Sequence, residues 1–400
     1  MNPYIICKMH EKIFSFLLND GKAIEIHCDE EHDESILGNI YIGKIRDIAK
    51  NIGAAFVEIL PGTVCYLPFS EIVNPIYTKK GASEKPQAGD ELLVQVSRDA
   101  IKSKYPSVTT NLTFHGKYIL LTTGNRKISV SSKLKKEEKA RLTAIVEELE
   151  PELVPDEDLK RSFGWLLRTN AKGAKKETIE SDMHRLLLQY HTLMHAAPHR
   201  VCYSCLLSGP HPWAARISDL YQDEAECFLT DDPSIFDEIR DYVSFCQPED
   251  LQKVSLYQDP LLPLYKKYSL ESQLKEAISE RVWLKSGGYL VIQPTEALTV
   301  IDVNTGKYEG ESRNPQKAFY KINLEAAAEA ARQIRLRNLS GIILIDFINM
   351  ESSESDSELL RFLSDLLRKD PIKTVLVDMT RLSLVEITRM KKEKPLHEVI

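Results

Sequence analysis

A chain of 400 residues is too long for one compact hydrophobic core, because single cores stop growing at about 250–300 residues. Hydrophobic residues make up 43% and charged residues 28% of the chain, which excludes collagen-like and intrinsically disordered proteins. The net charge of −7 excludes a protein that binds nucleic acid through bulk positive charge. No apolar run approaches the roughly 18–20 residues that span a membrane, and the N-terminus has no signal-peptide pattern. These features predict a cytosolic protein of several domains, without a membrane partner.

The predicted secondary structure changes in type along the chain. An Asn-Asp-Gly turn at 19–21 predicts a β-hairpin in the first 30 residues. From residue 36 to about residue 100, short strands broken by Gly, Pro and Asn predict a small closed barrel. Apolar spacing predicts helices over 135–150 and 177–197, with a strand at 162–167 between them.

The last 120 residues contain the clearest pattern. Two strands joined by Pro-Thr-Glu are predicted within 287–306, followed by an Ala-rich helix over 318–338. A buried strand at 340–350, an amphipathic helix at 357–370 and a strand region at 374–389 complete the chain. This alternation of strands and helices predicts an α+β multidomain fold.

Basic residues are concentrated between Arg98 and Arg141, although the whole chain is acidic. The eleven cations of this stretch are opposed by three acidic residues. They are Arg98, Lys102, Lys104, Lys117, Arg126, Lys127, Lys133, Lys135, Lys136, Lys139 and Arg141. The pattern favours a surface that follows a phosphate backbone. The alternative is a solvated helix face for the run from Lys133 to Lys139.

The seven cysteines form no disulfide framework, as expected for a reducing compartment. Cys202 and Cys205 form a single CxxC pair, and no second pair follows at zinc-site spacing. Zinc is therefore not expected, and the sequence VCYSCLL at 201–207 is better explained by a buried strand.

Two apolar strands each end in a carboxylate. Asp302 follows the run LTVI, and Asp346 follows the run IILI. Two aspartates from neighbouring strands suit magnesium, which takes one or two carboxylates and keeps several waters. Asn304 faces the same way as Asp302, and Lys307 could neutralise a phosphate. From spacing alone, the alternative that both aspartates only cap the next turn or helix is the more common outcome.

Several long motifs in the same order resemble the ribonuclease E/G family. The strongest resemblance is carried by SGGYLVIQPTEALTVIDVNTGKYEG, by INLEAAAEAARQIRLRNLSGIILIDFINM and by LVEITR. Upstream, GNIYIGKI, GAAFVEI, YLPFSEI and GWLLRTNAKGA resemble the middle modules of the family. The resemblance is to a short, ribonuclease G-like form and covers nearly the whole chain.

The resemblance implies a particular domain order. It implies an inactive ribonuclease-H-like domain from residues 1–35 and 200–280, an inserted S1-type OB-fold RNA-binding barrel at 36–115, an RNA 5′-end sensor at 116–199 and a DNase-I-like catalytic domain at 281–400.

The resemblance also implies residue roles. Asp302 and Asp346 would bind one magnesium ion per active site, with Asn304 as a catalytic helper. The residues implied to contact RNA are Phe56, Tyr66, Lys104, Arg381 and Arg389. Those implied to bind the 5′-phosphate are Arg168, Thr169, Gly124 and Ile128. The alternatives are that Phe56 belongs to the barrel core and that Arg168 forms only a surface ion pair.

The implied activity is magnesium-dependent endonucleolytic cleavage of single-stranded RNA to 5′-phosphate and 3′-hydroxyl ends. Substrates with a 5′-monophosphate would be favoured, in messenger RNA decay or ribosomal RNA processing in the cytoplasm. The alternative is a catalytically weakened RNA-binding protein of the same family, which Asn349 favours because the family commonly has an acidic residue there. The family's zinc-binding motif does not occur before Ile400, so a zinc-linked tetramer is not expected, while another homo-oligomer stays open.

Overall fold

The computed structural model describes residues 2–31, 35–81, 83, 85–100, 104–221, 224–306 and 315–400, and the backbone alone at 157 and 158. The chain forms two compact units. Unit 1 contains Met1–His32, Leu220–Arg240 and Gln252–Ile400. Unit 2 contains Asp33–Asp219 and Asp241–Leu251. No helix in the described ranges is long and apolar enough to cross a bilayer.

The described part of the chain contains both strands and helices. The strands are β1 Pro3–Met9, β2 Lys12–Asn19, β3 Lys22–Glu30, β4 Ile40–Ala49, β5 Ala54–Leu60, β6 Thr63–Pro68, β7 Tyr77–Lys79, β8 Glu91–Arg98, β9 Ser107–Thr109, β10 Thr113–His115, β11 Ile119–Thr122, β12 Ile128–Val130, β13 Gly164–Leu167, β14 Cys205–Leu207, β15 Cys227–Thr230, β16 Val254–Leu256, β17 Arg281–Trp283, β18 Tyr289–Pro294, β19 Leu298–Asn304, β20 Gly341–Asp346, β21 Thr374–Met379 and β22 Leu384–Arg389. The α-helices are α1 Lys136–Leu153, α2 Glu157–Lys160, α3 Lys176–Ala196, α4 Pro212–Asp219, α5 Pro233–Cys246, α6 Leu264–Lys267, α7 Leu270–Ile278, α8 Pro315–Leu336 and α9 Ser353–Leu367.

The first hairpin of unit 1 has the predicted turn. Asn19 of β2 pairs with Lys22 of β3, and the residues between them, Asp20 and Gly21, have φ angles of 48° and 76°. A two-residue turn with positive φ at both positions matches the twist of the flanking strands, and Asp-Gly adopts it at low cost. The hairpin belongs to a sheet of order β16-β15-β1-β2-β3.

The predicted closed barrel is confirmed in unit 2. Its strands follow the order β4-β5-β6-β9-β8, and β8 pairs back to β4, which closes five strands in a form consistent with an OB-fold. Buried side chains such as Ile45, Val57 and Val94 fill the interior. Gly43 lets strands approach there, because a Cβ at this position would lie 2.6 Å from Cγ1 of Val57.

A second sheet of unit 2, of order β10-β11-β13-β12, packs against α1 and α3. These helices confirm the predicted helical segments. The fully buried ring of Phe163 lies edge-on to Trp165 and to Tyr190, with centroid distances of 5.5 and 5.2 Å. The OB-fold domain was predicted to extend to residue 115, but β10 pairs with β11 in this sheet. The predicted four-domain division itself stays a prediction.

The prediction of a buried strand over 201–207 is wrong. Only Cys205–Leu207 forms β14, Cys205 is exposed, and Val201 is 78% exposed. Tyr203 has a φ of 73°, which interrupts the extended backbone that a strand requires.

A six-stranded sheet of order β17-β18-β19-β20-β22-β21 ends unit 1. α8 and α9 cover one face, where Ile301, Ile345 and Val385 are fully buried. The runs before Asp302 and Asp346 were predicted as buried strands. The structure shows instead that their residues alternate between this helix-covered face and an opposite face, where Val300 and Leu344 are only half-buried. Both aspartates therefore lie on the face that the helices leave open.

Candidate functional site

Asp302 and Asp346 are direct neighbours in the six-stranded sheet of unit 1. β19 and β20 run parallel, and their register pairs Asp302 with Asp346. Paired residues on adjacent strands are about 4.8 Å apart and point to the same face, so the two carboxylates share one small region. Asp302 is half-buried and Asp346 is exposed. This arrangement fits a hard divalent cation that keeps most of its waters.

The two carboxylates disfavour each other's charge. Partial burial raises the pKa of Asp346, and the neighbouring Asp302 raises it further. A cation bound between two such groups would relieve the repulsion. Among the described residues, no group of three or more His, Cys, Asp or Glu side chains is arranged to hold a metal ion.

We expect the repulsion to appear in the pH dependence of stability when divalent cations are absent. Because the folded pKa of Asp346 lies above its unfolded value, the folded state holds more protons in that window, and stability falls as pH rises through it. Asp302→Asn removes the neighbouring charge, so less stability should be lost over the same window. Urea unfolding in EDTA at a series of pH values measures this. An unchanged pH slope would show that the carboxylates do not interact.

Two asparagines position the site, Asn304 on the same strand as Asp302 and Asn323 on α8. Asn304 donates from Nδ2 to Oδ2 of Asp302 at 2.7 Å, which fixes that carboxylate. Asn323 of α8 is fully buried and holds the loop after β20, because it donates to the Ile348 carbonyl at 2.7 Å and accepts from the Ile348 N–H at 3.0 Å. Sequence reasoning missed Asn323, although a buried-face asparagine in an Ala-rich helix is a detectable signal.

The structure separates the two arginines that were predicted to hold RNA beside the carboxylates. Arg381 is exposed in the turn before β22, next to the end of β20 that carries Asp346. Arg389 is 4% exposed and bonds to Asp370 at 2.7 Å, to Asn338 Oδ1 at 2.6 Å and to the Leu339 carbonyl at 3.0 Å. The RNA contact predicted for Arg389 is wrong, because the buried guanidinium already donates its hydrogen bonds to protein groups. Lys307 lies outside the described residues.

The barrel of unit 2 carries an aromatic cluster on its outside. Phe56 and Tyr66 form a cross-strand pair with ring centroids 6.2 Å apart, and Phe56 is also 5.7 Å from the ring of Tyr105. Phe56 is half-buried, while its strand neighbours Ala55 and Val57 are fully buried, so Phe56 does not belong to the barrel core. Tyr105 is 57% exposed and was not predicted; Lys104, directly before it, is exposed.

Arg168 is held by protein groups at the end of β13. Nη1 donates to the carbonyls of Gly116 at 2.9 Å and Ser218 at 3.1 Å, and Nη2 donates to the carboxylate of Asp219. Thr169 Oγ1 lies 2.9 Å from Ser131 Oγ. The ion pair required by the alternative interpretation of Arg168 is therefore present, and its partner, Asp219, is 56% exposed in its side chain.

Gly124 does not join Arg168. The register of β11 with β13 pairs Thr122 with Gly164, so Gly124 lies beyond the end of the sheet opposite to Arg168. Four strand residues, about 13 Å, separate these ends. Gly124 also donates its N–H to Asn111 Oδ1 at 2.6 Å. This geometry contradicts a common phosphate pocket of Gly124 and Arg168. Ile128 of β12 pairs with Trp165, three residues before Arg168, and its part in such a pocket stays a prediction. The backbone that reaches Arg168 is instead the loop at Gly116.

Fold and site point to one broad class of protein, the enzymes that bind nucleic acid and act on its phosphate esters. Five-stranded barrels with aromatic rings on their surface are a common form of nucleic-acid-binding domain. Paired carboxylates at strand ends are typical of enzymes that use a divalent metal on phosphate esters.

Comparisons with known proteins give the family. The ribonuclease E/G family model matches residues 113–392. Ribonuclease G of Haemophilus influenzae is 31% identical over 96% of this chain and 78% of the relative, and ribonuclease G of Escherichia coli K12 gives the same three values. Ribonuclease E of a Nostoc species is 31% identical over 99% of this chain and 56% of the relative. The chain belongs to the ribonuclease E/G family.

Proposed function

We propose that this chain is an endoribonuclease that cleaves single-stranded RNA at the Asp302–Asp346 pair with magnesium. Its membership of the ribonuclease E/G family, and relatives named ribonuclease G and ribonuclease E, support the ribonuclease activity. The observation that carries the proposal is the register of β19 and β20, which pairs the two aspartates on the open face of the sheet.

The residues present fit a magnesium site. Asp302 and Asp346 would hold the ion, and Asn304 keeps one oxygen of Asp302 engaged, which fixes the carboxylate's orientation. The bound ion supplies Lewis-acid polarisation of the phosphodiester. Arg381, exposed beside the end of β20, would place positive charge against the RNA backbone. Hydrolysis of this kind needs no covalent nucleophile, and it would leave 5′-phosphate and 3′-hydroxyl ends.

The test of the proposal uses a 5′-monophosphorylated single-stranded RNA. The chain should cut it internally with magnesium and not with EDTA, and end-labelling should show 5′-phosphate on the downstream product. Uncut RNA at high protein concentration with magnesium would favour the second candidate, a binding protein with weakened catalysis. Asn349 is the observation in its favour. This exposed residue lies three positions after Asp346, where the family commonly has an acidic residue.

The preference for a 5′-monophosphate rests on Arg168. A guanidinium can bind phosphate through two parallel hydrogen bonds, and a dianionic phosphate would compete with the single carboxylate of Asp219 for it. Because the Asp219 side chain is more than half exposed, it can leave Arg168 without burying an unpaired charge. Asp219 thus stays paired with Arg168 until a phosphate replaces the carboxylate.

Two variants test this competition. Arg168→Ala should erase any preference for 5′-monophosphate over 5′-hydroxyl RNA, and Asp219→Asn should increase that preference because the phosphate no longer displaces a charged competitor. The measurement is the ratio of kcat/KM for the two RNAs, which cancels changes in overall activity. If both variants keep the wild-type ratio, Arg168 is only a structural ion pair.

A further inference from the structure

A pair of aromatic side chains, the exposed Trp283 and the half-buried Tyr289, lies on the same sheet as the carboxylates. β17 and β18 are antiparallel, with Trp283 opposite Tyr289. The two rings have centroids 5.2 Å apart at 58°. The guanidinium of Arg281 lies 4.5 Å from the Tyr289 centroid and 5.8 Å from that of Trp283. Two rings and a cation therefore form one patch at the edge of the sheet.

Strand pairing places this patch on the face of the carboxylate pair. Tyr289 of β18 is opposite Asn304 of β19, and the next pair on that face is Val291 with Asp302. Directly paired residues point to the same face, and adjacent strands are about 4.8 Å apart. Tyr289 is therefore one strand spacing from Asn304, and Trp283 is two spacings, about 10 Å, away. The patch begins directly beside the residues that would hold the scissile phosphate.

Exposure distinguishes Trp283 from the other tryptophans. Its relative exposure is 63%, whereas Trp165 is fully buried and Trp213 is 2% exposed. Large aromatic side chains left in water are uncommon and mark binding surfaces more often than chance. A ring with a free π-face beside a guanidinium is the combination on which nucleic-acid bases stack while their phosphates meet a positive charge.

We propose that Trp283 and Tyr289 stack bases of single-stranded RNA next to the scissile phosphodiester, with Arg281 against the backbone phosphate. The inference rests on the proposed RNA substrate and adds a base-binding subsite in the catalytic sheet, separate from the aromatic cluster of the barrel. Base stacking accepts any base, so this subsite holds the strand in place without dictating its sequence.

Tryptophan fluorescence measures RNA binding at this subsite without requiring cleavage. Because the other two tryptophans are buried, a short single-stranded RNA added to the full chain should quench Trp283 emission, and an abasic ribose-phosphate strand of equal length should quench much less. The Asp346→Asn variant keeps the RNA intact during the titration. In Trp283→Phe the quenching should disappear while RNA affinity, measured by anisotropy, stays close to wild type, because Phe still stacks.

Kinetics supply the second readout. Trp283→Leu and Tyr289→Leu should each raise KM by about 5- to 150-fold, the loss expected for one stacked base. Phe362→Leu is the matched control, since Phe362 is an exposed aromatic of α9, on the opposite side of the same sheet, and its loss should leave KM unchanged.

The outcomes separate the subsite from the nuclease. Cleavage with a wild-type KM in both leucine variants, or RNA binding that leaves Trp283 emission unchanged, overturns the subsite and leaves the nuclease intact. RNA-dependent quenching in a wild-type chain that cuts no RNA supports the subsite while the nuclease proposal fails. Quenching that depends on protein concentration and not on RNA, with a dimer on gel filtration, overturns the subsite by assigning the patch to a second copy.

Discussion

Asp302→Asn and Asp346→Asn are each expected to lower the rate of RNA cleavage by about 10³-fold or more. A bound metal contributes several kcal/mol to stabilisation of the transition state, and about 1.4 kcal/mol corresponds to a factor of ten in rate. Either substitution removes one of the two charges that the β19–β20 register brings together. RNA affinity should stay close to wild type, because aromatic and basic groups elsewhere would supply most of it.

The measurement is single-turnover cleavage at saturating protein, with anisotropy for affinity. Asp365→Asn is a suitable control, because Asp365 is an exposed aspartate of α9, on the other side of the sheet, with a side chain 71% exposed. It should cleave like wild type. Full activity in Asp302→Asn, or a large loss of RNA binding in both site variants, would contradict a metal-binding role.

Arg389→Ala is expected to destabilise the chain by about 3–5 kcal/mol, because it breaks the buried ion pair between Arg389 and Asp370. The side chains of Arg389 and Asp370 are only 2% and 5% exposed, so water cannot replace the lost partner. The guanidinium also satisfies Asn338 Oδ1 and the Leu339 carbonyl, which would lose their donors. Arg389 thus ties the end of β22 to the segments after α8 and α9.

Arg381→Ala is the matched comparison, since it removes the same charge from an exposed turn. Stability should change by no more than about 0.5 kcal/mol, as for most surface substitutions. RNA affinity at low salt should fall instead. Urea unfolding and a salt titration of RNA binding measure the two effects. If Arg389→Ala kept its stability and lost RNA affinity, the assignment of Arg389 to the protein interior would be wrong.

The sequence was sufficient for features that depend on local pattern. The Asn-Asp-Gly turn, the barrel strands and the helices have local signals, and the runs before Asp302 and Asp346 mark two strand ends. The direct pairing of Asp302 with Asp346 is a long-range contact that the sequence does not show. The two residues are 44 positions apart (346 minus 302), and the parallel register of β19 and β20 brings them together.

Other features required non-local partners that the sequence does not display. The burial of Arg389 depends on which face of β22 it occupies and on Asp370, which comes to it from the segment after α9. The misplacement of Gly124 came from the register of β11 with β13, which no local signal specifies. The pairing of Trp283 with Tyr289 could have been found, because the Lys-Ser-Gly-Gly sequence between β17 and β18 indicates a hairpin.

Direct titration with a divalent cation tests the central claim most closely. Mn²⁺, a spectroscopic substitute for Mg²⁺, can be added to the RNA-free chain, and the bound fraction followed by electron paramagnetic resonance. We expect one ion per chain in the wild type, and at least tenfold weaker binding in both Asp302→Asn and Asp346→Asn, with Asp365→Asn like wild type. Equal manganese affinity in the wild type and in both site variants would show that the two strand ends do not share an ion.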